Sequence, residues 1–312
     1  MKWTTHVELY LKQRRQLGYL LTTEGRYLQQ FALFAEQQHI LPPLTLSDAL
    51  TWANLAPSKS PIAIARRLSL LRPFFRYLKT IWLDTAAIPT KLVGPTHRRL
   101  APYIFDETEI VQLMEAADTL APTSILRPIT MRTLIGLIAA TGLRPGEAVR
   151  VKQHEVDLSN AQITICHSKG WSHRYVSLTS STVDALLDYE KIRSHHAIES
   201  ESDAFFLLSQ TRALDIRSAD YAFGLLHEKL GLVDLLGARK PRLYDLRHSF
   251  VCHRVLAWYE AGENVDALMP QLSRYLGHKK ISDTYYYLSA IPELMDCTVK
   301  HFEALTCIGG GQ

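Results

Sequence analysis

A mainly α-helical chain in two domains is what the sequence predicts, on three observations. Apolar residues recur at spacings of three and four through most of the 312 residues, the period of a helix with one buried face. Runs of β type are confined to one short hairpin between Ala161 and Leu178. Charge divides unevenly along the chain: residues 1–100 hold 14 Lys and Arg against 5 Asp and Glu, a balance of +9, whereas the other 212 hold 21 against 26, a balance of −5. With 47% hydrophobic residues, the composition is that of an ordinary globular protein able to build a core.

The elements follow in order. From His6 to about Trp82 the pattern is helical, interrupted at Leu41-Pro42-Pro43 and Ala56-Pro57-Ser58. Leu68, Leu71, Phe75 and Leu78 form a core-facing stripe, and Arg72, Arg76 and Lys79 run beside it at the same spacing. Pro73 falls inside this run and should kink the helix or start a new one. The first domain is thus expected over 1–88, as three or four helices with a basic face. Lys91, Gly94, Pro95, His97, Arg98, Arg99 and Pro102 mark an extended basic linker over 89–103. A basic first third suits a polyanionic partner, and Arg66, Arg67, Arg72, Arg76, Lys79, Arg98 and Arg99 are the candidate phosphate contacts. A solvated basic face with no partner would read the same from charge alone.

The second domain is expected over 104–312, mixed α/β but mostly α. Asp106 is placed to cap a helix reaching about Leu120, with Glu107 and Glu109 in its first turn. Arg132 to Ala140 is apolar enough to be a buried helix. Ala161–Cys166 and Arg174–Leu178 flank a polar turn containing Lys169, and make the hairpin. The remainder to about Leu305 is helical, ending in a tail helix with apolar Leu294, Val299, Phe302 and Leu305.

Four short segments carry chemistry. Arg144 lies in Thr141-Gly142-Leu143-Arg144-Pro145-Gly146-Glu147: Gly142 can end one helix in a left-handed cap, Pro145 can open the next, and Glu147 sits one turn on to orient the arginine. Lys169 lies at the hairpin tip in Ser168-Lys169-Gly170. Arg247 lies in Tyr244-Asp245-Leu246-Arg247-His248-Ser249-Phe250, leading a helix. His278 follows Leu276-Gly277, and Tyr287 stands nine residues beyond it, the last of three consecutive tyrosines. Each alone has a bland reading, as a surface arginine, a turn lysine or a satisfied structural histidine. Together they supply planar cations for phosphoryl oxygens, a proton donor and acceptor, and a phenol to attack.

In order and spacing, these four segments resemble the boxes of the tyrosine recombinase (phage integrase) family, and the first domain is similar in size to that family's core-binding module. The resemblance implies a catalytic second domain in which Tyr287 attacks a DNA phosphodiester to form a 3′-phosphotyrosyl link. It implies that Arg144, Arg247 and His278 hold the scissile phosphate, and that Lys169 protonates the leaving oxygen. It implies double-stranded DNA with inverted-repeat sites as partner, a tetramer on that DNA, and a tail helix docking on a neighbour or on its own domain. Partner recombinases or accessory proteins fit the same picture. No cofactor is expected, because the covalent link conserves the phosphodiester's energy; no phosphate-binding GxxxxGK[ST] loop or acidic metal cluster is present in the sequence.

Two departures stand out. The family usually has His three residues before its second arginine, where this chain has Tyr244. A phenol donates a hydrogen bond, but with a pKa of about 10 it is a poorer base than imidazole at neutral pH. Second, successive helical residues point roughly 100° apart, so one phenol of the Tyr285-Tyr286-Tyr287 run can face a phosphate; spacing favours Tyr287. The segment Thr284 to Met295 is unlike that of Xer recombinases, which points to a mobile-element recombinase. The alternatives are a catalytically impaired DNA-binding helper on this scaffold, which Tyr244 supports, and a relaxing activity like that of type IB topoisomerases. A metal nuclease on His195 and His196 would need a carboxylate cluster, and none is evident beside them in the sequence. The longest apolar stretch, Leu134 to Leu143, is too short to span a bilayer, no signal peptide opens the chain, and its four cysteines form no CxxC pair, so the cytoplasm is the expected compartment.

Overall fold

The structure, a computed structural model, describes residues 2–96, 102–121, 125–166, 173–196, 202–232, 240–278 and 280–285. The chain divides into two units, 1–100 and 101–312.

Four helices build the first unit: α1 (Trp3–Gln16), α2 (Thr22–Gln37), α3 (Leu46–Asn54) and α4 (Pro61–Leu78). Their starts are written locally. Thr45 and Asp48 form a reciprocal capping box on α3, and Ser60 caps α4 just ahead of Pro61. Aromatic rings fill the centre: Phe31 packs edge-on against Trp52 at 5.5 Å and lies tilted against Phe75 at 5.8 Å. The expected stripe on α4 is buried, and Phe74 joins it.

No new helix starts at Pro73, and α4 continues through it. A proline there removes the N–H that would bond the Ser69 carbonyl, at a cost of about 3 kcal/mol. Burial of Leu71, Phe74 and Phe75 around it returns about 1.5–3 kcal/mol per side chain, so packing wins.

The candidate phosphate contacts in this unit divide into two kinds. Arg66, Arg76 and Lys79 are exposed. Arg67 donates to the Trp52 carbonyl at 2.9 Å and lies 4.4 Å over the Trp52 ring. Arg72 donates to the carbonyls of Ile88 and Pro89, the shortest contact being 2.9 Å. Arg98 and Arg99 lie outside the described residues.

The second unit is built around α6 (Leu126–Thr141), which has buried residues on almost every side and packs against α5 (Glu107–Ala117), α8 (Ser180–His196) and α10 (Asp245–Glu260). Asp106 and Glu109 cap α5 reciprocally, as the sequence predicts. A short helix α7 (Pro145–Ala148) leads to a three-stranded antiparallel sheet in the order β1 (Val156–Asp157), β2 (Gln162–Ile165), β3 (Arg174–Ser177), with Ile165 opposite Arg174. The two-residue β1 is too short to leave a period in the sequence. Helices α9 (Ile216–Lys229), α11 (Val265–Leu276) and α12 (Ser282–Tyr285) complete the described part. Val251, Val255, Met269 and Leu276 seal α10 to α11 in a cluster of their own. Among the described residues, no helix is long and apolar enough to cross a membrane.

Candidate active site

The first corner of the site is the junction of α6 and α7. Gly142 closes α6 with φ +64°, its N–H donating to the Ile138 carbonyl at 2.8 Å. A Cβ there would lie 2.3 Å from Phe250 of α10, so the cap needs glycine both for its backbone and for its neighbour. Arg144 stands at the N-cap of α7, ahead of Pro145. Its Nη1 donates to Glu147 Oε1 at 2.8 Å and its Nη2 to the Gly277 carbonyl at 2.9 Å.

A second guanidinium grips the same carboxylate. Arg174, the first residue of β3, donates from Nη2 to Glu147 Oε2 at 2.6 Å and from Nη1 to Oε1 at 3.3 Å. Burial alone would raise the Glu147 carboxyl, but the hydrogen bonds and charges of Arg174 and Arg144 outweigh it and hold the group below the ordinary carboxylate range. Glu147 therefore stays ionised and ties the hairpin to the arginine box.

The second corner is made by α10 and the end of α11. Asp245 is wholly buried, and both the backbone N–H and the guanidinium of Arg242 donate to it, at 2.8 and 3.1 Å. One turn into α10, Arg247 is also wholly buried. Its Nη1 donates to the Gly142 carbonyl at 2.7 Å, and its Nη2 lies 2.9 Å from both the Leu276 carbonyl and His278 Nε2. Gly277 ends α11 with φ +66° and lets the chain turn, so that His278 meets Arg247. The other ring nitrogen, His278 Nδ1, lies 2.7 Å from Oγ1 of the wholly buried Thr284 on α12. Burial, and then the charges of Arg247 and Arg144, push His278 down to about 4, so its imidazole is neutral at physiological pH.

The structure thus brings Arg144, Glu147, Arg247 and His278 into one cluster. Tyr244 stands at the mouth of α10, partly exposed, its ring 5.1 Å from that of His248 and its carbonyl accepting from the Arg247 N–H at 3.2 Å. His248 is pushed down to about 4 by burial and by Arg242 and Arg247. Tyr285 is turned to α11, its phenol donating to Asp266 at 3.0 Å. Lys169, Tyr286, Tyr287 and the expected tail helix lie outside the described residues.

Sequence reasoning missed two participants, Arg174 and Thr284. Both stand inside segments it singled out, but the contacts that define them reach across 27 residues in one case and across a helix end in the other. Among the described residues, no group of three His, Cys, Asp or Glu side chains is arranged to hold a metal ion. What the cluster can hold is an oxyanion: two arginines converge from opposite corners on the Gly277–His278 turn, and a phosphoryl oxygen can replace the carbonyls they now bind.

Comparison with known proteins agrees with this geometry. The phage integrase family profile matches residues 104–293, more than half of the chain. The integrase/recombinase y4rB of Sinorhizobium fredii is 34% identical over 301 residues, covering 95% of this chain and 96% of that protein. The tyrosine recombinase XerC of Vibrio vulnificus is 29% identical over 289 residues, covering 90% and 84%. Among solved structures, the Tn1549 transposon integrase in complex with transposon right-end DNA superposes with a TM-score of 0.68 at 17% identity, covering 96% of this chain and 99% of that one. The XerH recombinase in its post-cleavage complex with a palindromic difH substrate gives 0.66 at 19%, covering 96% and 85%. Their low identity speaks to the fold, while the profile and the full-length relative settle descent: the chain belongs to the phage integrase family, the tyrosine recombinases.

Proposed function

We propose that this enzyme is the site-specific recombinase of a mobile element, and that it breaks and rejoins DNA through Tyr287. The observation that carries the reading is the convergence of Arg144, Arg247 and His278, drawn from three distant segments, on one turn of chain. Two guanidiniums neutralise the non-bridging oxygens of the scissile phosphate. The Tyr287 phenol then attacks phosphorus, the bond to the 5′ oxygen breaks, and Lys169 supplies that oxygen's proton. Tyr244, at the mouth of the cluster, donates a hydrogen bond to a phosphoryl oxygen. The phosphotyrosyl bond keeps the energy of the broken one, so the reverse attack by a 5′ hydroxyl rejoins DNA without ATP.

Four protomers on paired inverted-repeat sites would exchange strands two at a time through a Holliday junction, in the cytoplasm. The mobile-element assignment rests on the segment Thr284 to Met295, whose sequence is unlike that of Xer recombinases.

Trapping tests the reading. Nicked duplexes tiled across the DNA that flanks the gene should give a covalent protein–DNA band with the wild-type chain and none with Tyr287→Phe. Retardation of these duplexes without any covalent band would replace the enzyme with a DNA-binding helper, the reading that Tyr244 favours. A band that survives Tyr287→Phe would move the nucleophile to a neighbouring tyrosine.

A further inference from the structure

The hydrogen bonds around His278 fix more than its position. A guanidinium has five N–H groups and no lone pair, so it can donate and never accept. Arg247 Nη2 lies 2.9 Å from His278 Nε2, and this nitrogen must therefore carry the lone pair. A neutral imidazole then has its hydrogen on Nδ1, which lies 2.7 Å from Thr284 Oγ1 and donates to it. Thr284 has no freedom to leave: it is wholly buried on α12, and its N–H is bonded to the Ile281 carbonyl at 2.8 Å. The three groups form one directional chain from Arg247 through the ring to the threonine hydroxyl.

We propose that Thr284 is a positioning residue that fixes His278 as its Nδ1–H tautomer, so that His278 meets the scissile phosphate as a proton acceptor and donates to it only after taking up a proton. The idea rests on the preceding reading of the cluster as a phosphate site and adds the direction in which the proton moves. A neutral Nε2 has nothing to offer a phosphoryl oxygen. When the phosphate enters, Arg247 turns its Nη2 donor from Nε2 to a phosphoryl oxygen, and the exposed lone pair becomes the acceptor for the Tyr287 phenolic proton. The Oη–H bond breaks as the Oη–P bond forms, the proton passes to Nε2, and the P–O5′ bond breaks with its electrons on the leaving oxygen. The imidazolium so formed donates from Nε2 to the phosphoryl oxygens at the moment their charge grows, an interaction made in the transition state and absent before it. In the reverse reaction the same proton returns to the phenol.

Burial first, and then the charges facing the ring, keep it neutral at the start. Among the described residues, Arg247 on α10, Arg144 at the head of α7 and Arg174 on β3 act against its protonation, with His248 on α10 nearby; Asp283 on α12 opposes them, and Glu147 is bound to both Arg144 and Arg174. Burial and these guanidiniums together disfavour an imidazolium until the phosphate's own negative charge arrives.

Two measurements test this on the full-length chain. Protein labelled with ¹⁵N-histidine, its His278 signals identified by their loss in His278→Asn, reports the tautomer directly in long-range proton–nitrogen spectra without DNA. The expected result is a protonated Nδ1 and a pyridine-like Nε2, in the wild type and in Thr284→Ser. A protonated Nε2 in the wild type overturns the proposal, whatever the enzyme does to DNA. Single-turnover cleavage of the trapping duplex then compares Thr284→Ser with Thr284→Val, which keeps the shape and removes the acceptor. Thr284→Ser should cleave close to the wild-type rate; Thr284→Val should be slower by about tenfold or more, with an altered pH–rate profile and unchanged DNA affinity. Equal rates and profiles for the two variants overturn the proposal. Should Thr284→Val fail to fold, Thr284→Ala takes its place in the rate comparison, and the wild-type spectrum decides the tautomer in any case. If no covalent band forms on any duplex, the functional reading fails while the spectrum still decides the tautomer.

Discussion

Glu147 is the residue on which the cluster turns. Its two oxygens accept from Arg174 and Arg144 in a buried setting, and the cost of taking three charges out of water is met by short, paired hydrogen bonds. Glu147→Gln keeps the shape and removes the charge, leaving two guanidiniums facing one another; the expected loss is about 3 kcal/mol or more at neutral pH in urea unfolding. The pH dependence has a fixed sign. A carboxyl held below its ordinary value contributes stability that is complete above its unfolded pKa of about 4.5 and is lost as pH falls through the folded one. The wild-type urea midpoint should therefore drop more steeply than that of Glu147→Gln on acidification below about pH 5; parallel curves would mean that the carboxylate is not the anchor. The sequence made Glu147 visible as a partner of Arg144 three residues before it. It could not show Arg174, because the side chain of a strand residue reveals its face and not the distant group it reaches.

Elements were legible where a local rule writes them. Asp106 announces a helix start, with Glu109 three residues on, and Gly142 announces a helix end by supplying a left-handed cap, as Gly277 also does. At Pro73 the local rule leaves a kink or a new start open, and α4 continues because the buried faces of Phe74 and Phe75 hold it from outside the helix. Strand β1 was missed because two residues have no period. Between elements, Ser249 on α10 shows how one hydroxyl can hold a chain entry in place. It accepts from the Phe105 N–H at 2.8 Å and donates to the Asp245 carbonyl at 3.0 Å, with no solvent exposure. Ser249→Ala strands the Phe105 N–H in the core and should lower stability by about 1–3 kcal/mol, read as a shift in thermal midpoint at unchanged unfolding cooperativity. A neutral substitution would show that water or a backbone shift takes over the bond.

For the whole molecule, the charge asymmetry of the sequence acquires a sharper meaning once the basic residues of the first unit are sorted by what they touch. Arg76 on α4 and Lys79 at its C-cap are exposed, whereas Arg67 and Arg72 are bonded to backbone carbonyls of their own unit. The +9 balance of residues 1–100 is thus not uniformly available to a polyanion. Each phosphate neutralised releases a counterion, and log affinity for duplex DNA falls with log salt at a slope of about −0.9 per contact. Arg76→Ala and Lys79→Ala should each flatten that slope by about one, with the thermal midpoint unchanged. Arg67→Ala and Arg72→Ala should instead lower the thermal midpoint by the equivalent of about 1 kcal/mol, through lost carbonyl bonds and, for Arg67, a lost ring contact, while leaving the slope as it was. Fluorescence anisotropy on one duplex from 50 to 300 mM salt, about a sixfold range, separates the two classes. An Arg72→Ala chain that melts normally and loses a full unit of slope would mean that this guanidinium leaves its carbonyls for phosphate when DNA binds. The sequence, which set Arg72 beside Arg76 on one stripe, would then have read the interface correctly where the unbound structure conceals it.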